Sequence, residues 1–260
     1  MKQQLLALQA ELLKNRYSRI VWVTFIAFGL APAMGGLFII IIRDPEALAK
    51  ASGLAAKVRA MGFQPSWNSY LSVLTQAVGV GGVLVFGFVA SWIFGREYSD
   101  GTAKDLLSLP ISRTKISNAK FLVYSIWSAA LVFSNLLIGL LIGTILQLDL
   151  FANIWGGLGE YFITTVLTIL AGIPIAFFAT WGKGYLAPLG FVSISLVIAQ
   201  IITAMGYGSF FPWAIPALYS GAGGEYKATL TNLSYLILIA TSVAGYFATI
   251  IYLNVADQTK

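Results

Sequence analysis

The charged residues of this chain are few, and their placement is the first clue to its chemistry. Of 26 charges, eight fall between Arg96 and Lys120, in the run REYSDGTAKDLLSLPISRTKISNAK. Histidine and cysteine are both absent. That removes disulfides, thiolate nucleophiles, imidazole bases and Cys/His zinc sites together. Catalysis would have to rest on Ser, Asp, Glu, Lys or Tyr. A serine protease with a His base and an H-E-x-x-H metalloprotease are excluded, and Asp149 has no second carboxylate inside an apolar segment with which to form an aspartyl dyad. No G-x-x-x-x-G-K-[ST] motif occurs, so the chain has no phosphate loop for ATP. No metal site is expected.

What the charged run does offer is a docking element. Thr102-Ala-Lys-Asp105 has the form of a capping box, in which a hydroxyl and an acidic side chain satisfy the free N–H groups of a starting helix. Gly101 permits a sharp turn before it. Pro110 stops the helix after two turns, and Ser112 can cap the next one, which carries Arg113, Lys115 and Lys120 onward. Leu106, Leu107 and Leu109 are thereby presented on a short, separately capped helix. Such a helix either meets a protein partner or lies on lipid headgroups.

The elements that must position this helix follow from composition. Only 10% of residues are charged and the mean hydropathy is +0.82, against about a quarter charged in soluble domains. The chain reads as an all-α integral membrane protein. A bilayer core needs roughly 20 apolar helical residues, and six uncharged runs meet that length: about 20–42, 69–94, 121–148, 161–180, 185–205 and 233–255. A β-barrel would show strands of about ten residues with alternating polarity instead. The first run is longer than the apolar core of a signal peptide and is followed by five more, so it is read as a span, and residues 1–260 as a single transmembrane domain.

Six spans put both termini on one side. That side carries Lys2, Lys14, Arg16, Arg19, Arg96, Lys104, Arg113, Lys115, Lys120, Lys183 and Lys260, whereas Arg43, Lys50, Lys57, Arg59 and Lys227 lie opposite. The positive-inside rule makes the first side cytoplasmic. The net charge of +6 is thus a topology signal with anionic membrane lipid as neighbour, and no nucleic-acid partner is expected. Residues 1–19, with Leu5, Leu8, Leu12 and Leu13 on one stripe, predict a helix lying in the cytoplasmic interface. After span one, Asp44 and Pro45 predict an N-cap and first helical residue of an Ala-rich helix ending near Gly62, with Trp67 and Tyr70 at the interface. The last outer loop, GYGSFFPWAIPALYSGAGGEY, is too apolar to be simply solvated; it would dip into the outer leaflet, anchored by Phe210, Phe211, Trp213 and Tyr219.

The run FGREYSDGTAKDLLSLPISRTKISNAK resembles the loop between the second and third spans of ABC-2-type permeases. The recurring features are an acidic residue, Gly-Thr, a Leu-rich turn, Pro, a small residue with Arg, and a Lys opening span three. Here they are Glu97, Gly101, Thr102, Leu106, Leu107, Pro110, Ser112, Arg113 and Lys120. The resemblance implies the fold of a type V exporter half, six spans with an N-terminal interfacial helix and a cytoplasmic coupling helix. The coupling loop would comprise Glu97, Asp100, Gly101, Thr102, Asp105, Leu106, Leu107, Leu109, Pro110 and Arg113. It implies two separate ABC ATPase subunits holding the ATP and Mg, no cofactor or hydrolysis on this chain, and a second permease copy, the same chain or a different one, in a bacterial cell membrane.

Rival functions weigh less. An ion-coupled carrier normally needs ionisable groups at membrane depth, and the six runs have none, although sodium sites built from carbonyls and hydroxyls stay open, as does an ion-extruding permease. A passive scaffold would explain the spans but not the capped helix. Gly87, Ser91 and Gly95 in span two and Gly139 and Gly143 in span three recur every four residues, a spacing for close helix packing within the chain or against a second copy. Pro174 and Pro188 would kink spans four and five. Asn135, Thr165, Thr168 and Gln200, with Thr164, Ser193 and Ser195, either line a pathway or bond neighbouring helices. The uncharged interior suits export of an apolar or amphipathic cargo such as a lipid, peptide antibiotic or drug.

Overall fold

The computed structural model describes residues 2–44, 46, 53, 64–107, 111–148 and 154–255, excepting the side chains of Lys2, Leu106 and Leu107. Helix α1 (Lys2–Arg16) leads into six candidate spans: α2 (Arg19–Arg43), α3 (Trp67–Ser99), α5 (Arg113–Ile145), the pair α6 (Ile154–Gly172) and α7 (Ile175–Trp181), α8 (Leu186–Ala204) and α10 (Asn232–Val255). Two short helices join them, α4 (Ala103–Leu107) between spans two and three and α9 (Ile215–Tyr219) between spans five and six. No strand occurs among the described residues. The protein is an all-α integral membrane protein. Helix α1, α4 and the last turn of α10 lie at one end of the bundle, called the basic end below.

Spans two and three run past the apolar windows, to Ser99 and back to Arg113. The charges that seemed to bound them, Glu97 and Lys120, lie inside the helices. Ser18 separates α1 from span one and caps it, its hydroxyl accepting from the Ile20 N–H at 3.4 Å. Asp44 accepts from the Glu46 N–H at 2.9 Å, the cap foreseen after span one; the rest of that helix falls outside the described residues. Trp67 and Tyr70 are not interface anchors. Both rings are fully buried, the indole N–H bonding the Leu148 carbonyl at 3.0 Å and the phenol the Pro32 carbonyl at 2.9 Å.

The core joins spans two, three and four, and much of its order comes from carbonyls that prolines and breaks leave without a helical donor. Pro32 sits inside span one and has no N–H for the carbonyl four residues back, that of Phe28. Asn135 of span three supplies the donor instead, its Nδ2 lying 2.8 Å from that carbonyl. The Asn135 oxygen in turn lies 3.1 Å from the Tyr161 hydroxyl of span four.

Span four repeats the pattern on a larger scale. Helix α6 stops at Gly172 and α7 resumes at Ile175, so Pro174 interrupts the span outright. The carbonyls of Ile169 and Ala171 accept from Tyr124 (2.8 Å) and Trp213 (3.0 Å), and that of Leu170, which keeps a 3.1 Å bond from the Ile173 N–H, accepts also from Ser242 (2.8 Å), so that spans three and six and the loop before α9 all reach the break. Backbone irregularity at membrane depth is tolerated only with such internal partners. Pro188, by contrast, is the third residue of α8, in the first turn where its missing N–H has no partner to lose, so it leaves that span unkinked.

The segment before span six enters the bundle rather than lying across it. Ala171 is 17 residues past the start of α6, about 26 Å along the helix, and Trp213 reaches it while packing edge-on against Phe191 at 5.2 Å. Ala214, Ile215 and Leu218 are buried. Phe210 remains exposed, Phe211 is half-buried, and Tyr219 lies under the Lys227 ammonium at 5.5 Å.

The role of Asn135 gives a first prediction. Asn135→Leu, which strands the Phe28 carbonyl, should destabilise the purified protein by about 1–3 kcal/mol. In a background of Pro32→Ala, where the backbone regains its own donor, the same change should cost clearly less. Thermal unfolding of the four proteins of this cycle in one detergent measures the coupling, and equal costs in both backgrounds would refute the assignment.

Candidate functional site

The turn leaving span two is built by three backbone bonds. The Asp100 N–H bonds the Arg96 carbonyl at 2.7 Å, that of Gly101 the Tyr98 carbonyl at 3.3 Å, and that of Thr102 the Glu97 carbonyl at 2.9 Å. The last two are the pair that defines a Schellman motif, and it needs a left-handed residue at Gly101, where φ is +72°. A side chain there would be strained, so Gly101 is required by the turn. Helix α4 begins one residue after Thr102. Asp100, Gly101, Thr102, Lys104 and Asp105 are exposed, and Ala103 is buried. Beneath Ala103 is a cavity of about 20 Å³, lined also by Phe94, Ile116 and Leu253 and by Glu97, Arg113 and Lys120. It has room for one water.

Glu97 is placed here differently from the expectation that made it part of a docking surface. It lies in the last turns of α3 and is 6% exposed. Its carboxylate grips the Lys120 ammonium of span three, with both oxygens within hydrogen-bond reach at 2.8 and 2.7 Å. Lys120 is 3% exposed; its nitrogen also donates to the Ile93 carbonyl at 2.9 Å and approaches Glu11 of α1 at 3.3 Å. Lys14 completes the cluster, bonding Glu11 at 2.7 Å and Glu97 at 3.0 Å. Burial disfavours the Lys14 ammonium, but the carboxylates of Glu97 and Glu11 outweigh it and hold its pKa above the ordinary lysine value. Two cations and two anions thus tie α1, span two and span three together.

Glu97 therefore acts twice. Its side chain clamps α1 and span three, and its carbonyl closes the turn into α4. The start of span three is fixed as firmly: Ser112 caps it by accepting from the Lys115 N–H at 3.4 Å, Arg113 donates to the Leu253 carbonyl of span six at 2.9 Å, and Lys115 donates to Gln3 at 2.6 Å. Arg113 is thus half-buried and engaged within the chain. Leu109 and Pro110 lie outside the described residues, and Leu106 and Leu107 are described only as the last two backbone positions of α4.

Sequence reasoning missed Glu11, Lys14 and Asn15 as members of this site. The signal was a stripe at i, i+4, i+8: Ala7, Glu11 and Asn15 are the buried residues of α1, while Leu5, Leu6, Leu12 and Leu13 face outward. A helix that turns its leucines out and its glutamate in needs a buried cation nearby.

The small residues pack within the chain. A side chain at Gly87 would strike Val192 of span five, and one at Gly139 would strike Leu74 of span two; Gly143 lies against Trp67. At Gly95 the neighbour is backbone: a Cβ there would lie 2.5 Å from the Gly184 carbonyl carbon, so only glycine allows span two to touch the turn between spans four and five. Ser91 is buried with its hydroxyl on the Gly87 carbonyl at 2.7 Å. Of the pathway candidates, Asn135 bonds span one, Thr165 bonds the Tyr161 carbonyl at 2.9 Å, and Thr168 bonds the Thr164 carbonyl at 2.8 Å. All three are buried, whereas Gln200 is exposed beside α9. Among the described residues no cluster of carboxylates could hold a metal ion.

Residues 7–203 match the family described as ABC-2 family transporter protein. The chain is also similar to the bacitracin transport permease protein BCRB of Bacillus licheniformis, 28% identical over 179 residues that cover 68% of this chain and 85% of the relative.

The cluster predicts a non-additive pattern. Removing one partner of a buried pair costs about 3–5 kcal/mol, so Lys120→Met and Glu97→Gln should each lower the thermal midpoint and membrane yield sharply. The double variant leaves the 2.7 Å Lys14–Glu11 pair balanced and should be more stable than either single one. A double variant as unstable as the sum of the two would sink this reading.

Proposed function

The chain belongs to the ABC-2 family of transporter proteins, and from that premise we propose that it is the membrane half of an exporter driven by separate ATP-binding-cassette subunits that dock on α4. No phosphate loop occurs in these 260 residues, and the ATP would be bound by the docked subunits. The observation that carries the reading is α4 itself. It is set off from span two by the Schellman turn, exposed at Lys104 and Asp105, and fastened through Glu97 to α1 and to spans two and three. A connector would need neither the Schellman turn nor the buried charges behind it. Closure of two ATPase subunits would push on α4 and move those three helices together, switching the bundle between inward and outward access.

Orientation follows from the same reading: α4 and both termini face the cytoplasm, in agreement with the distribution of Lys and Arg. Two permease halves, most simply two copies of this chain, would complete the transporter. For cargo we favour an amphipathic molecule of the peptide-antibiotic or lipid class. The relative is named for bacitracin transport, and the spans carry charges only near their ends.

Two experiments test this. A tagged chain purified gently from its host should bring a P-loop ATPase with it, and Leu106→Asp with Leu107→Asp should remove that ATPase while leaving the thermal midpoint of the permease within a few degrees. Failure of any ATPase to accompany the unaltered chain would refute the docking proposal. Because the chain has no cysteine, single cysteines report orientation directly: Thr102→Cys should react with an impermeant maleimide only in inverted vesicles, and Glu225→Cys only in intact cells. The reverse pattern would invert the topology.

A further inference from the structure

A groove of about 330 Å³ runs down the outside of the bundle between α1, span one and span three. Its walls are apolar, with Val21, Phe25, Ile126 and Ala130 along its length and Asn15 and Arg16 at its mouth. Ile126 and Ala130 are exposed, so the groove opens sideways to the region that lipid occupies. Phe25 is six residues into span one, about 9 Å below its start. The mouth therefore lies where α1 turns into the membrane, and the walls lie at acyl-chain depth.

The charges at the mouth do not balance. The carboxylates nearest in the fold, Glu11 and Glu97, are both taken by Lys14 and Lys120. Arg96 is turned away over the Trp92 ring at 5.9 Å, with a bond to the Asn15 oxygen at 3.4 Å. Arg16 lies over the Tyr17 ring at 5.5 Å, and Arg19 is the first residue of span one, across the break at Tyr17 and Ser18; both are exposed. Among the described residues neither guanidinium meets a carboxylate. An apolar slot of acyl-chain depth with the unopposed Arg16 guanidinium at its mouth, and Arg19 three residues further along the chain, matches one chemical class: a lipid with a net negative phosphodiester headgroup. A zwitterionic headgroup would bring its own cation against them.

We propose that this groove is a binding site for one anionic phospholipid, its phosphate on Arg16 and Arg19 and one acyl chain against Phe25, Ile126 and Ala130. The site is independent of the proposed ATPase docking and of the cargo. Its occupant would brace α1 against spans one and three from the lipid-facing side.

The test uses the full chain exchanged into mixed micelles holding equal amounts of palmitoyl-oleoyl phosphatidylglycerol and phosphatidylcholine, with retained lipid counted by native mass spectrometry. One phosphatidylglycerol per chain should be held in preference to phosphatidylcholine by about thirtyfold, the factor that about 1 kcal/mol from each of two basic side chains near a headgroup gives. Arg16→Gln with Arg19→Gln, both surface changes, should bring the two lipids near parity. Lys104→Gln, a charge removed elsewhere at the same end, should leave the preference intact. Ala130→Trp, which fills the groove from its open side, should reduce the retained lipid itself. No preference in the unaltered chain, a preference that survives loss of both arginines, or retention unaffected by Ala130→Trp would each overturn the proposal.

Discussion

The buried contact between Glu97 and Lys120 is the constraint on which the basic end of this molecule depends. Charges removed from water cost several kcal/mol each unless every lone pair and proton finds a partner. Here they do: the ammonium has both Glu97 oxygens, the Ile93 carbonyl and Glu11 around it, and Lys14 closes the electrostatic balance. The same demand for satisfaction makes the arrangement specific. Span three can slide against span two only by stranding an ammonium, and α1 can leave only by taking Glu11 and Lys14 with it. Helix α4, hung from the carbonyl of Glu97, inherits that rigidity.

Away from the charges, the bundle is organised by carbonyls in need of donors. Pro32 and the break at Ile173–Pro174 each expose backbone oxygens where no water is available, and each is answered by side chains from other helices. These bonds are worth modest amounts singly, often under a kcal/mol between membrane helices. Their value lies in register. Trp213 cannot bond the Ala171 carbonyl unless the loop before α9 has entered the bundle, so the break in span four and the entry of that loop specify each other.

The six spans were legible because nothing but a membrane helix explains so many uncharged runs of that length. Their ends were not, for a physical reason. A lysine or glutamate in a sequence reads as the edge of an apolar window, and only the partner, here Glu97 for Lys120 across 23 positions, shows that the helix continues. The turn at Gly101 and the cap at Ser112 could be read locally because turns and caps are local. Trp67 and Tyr70 were misplaced because an aromatic with a polar tip suits an interface as well as a buried carbonyl. Asn135 reads equally as a pathway residue or as one that bonds a neighbouring helix for want of one inference: a proline inside a span obliges some neighbour to donate. Pro32 carried that signal.

The two halves of the molecule are consequently built to respond differently to a load. At the basic end α1, spans two and three and the start of α4 share ionic and carbonyl contacts that no one of them can leave alone, so a push on α4 is carried by all of them. Further in, spans two and four are each irregular, with a π-turn at Ala77–Gly81 and the interruption after Gly172. The loop helix α9 sits against both, Gly79 facing Pro216 and Ser220 too closely to admit a side chain. Regular helices resist bending, whereas a π-turn and a proline break are where helices bend. Movement imposed at α4 would therefore be taken up around α9, joining the proposed docking helix to the end of the bundle through which cargo would leave.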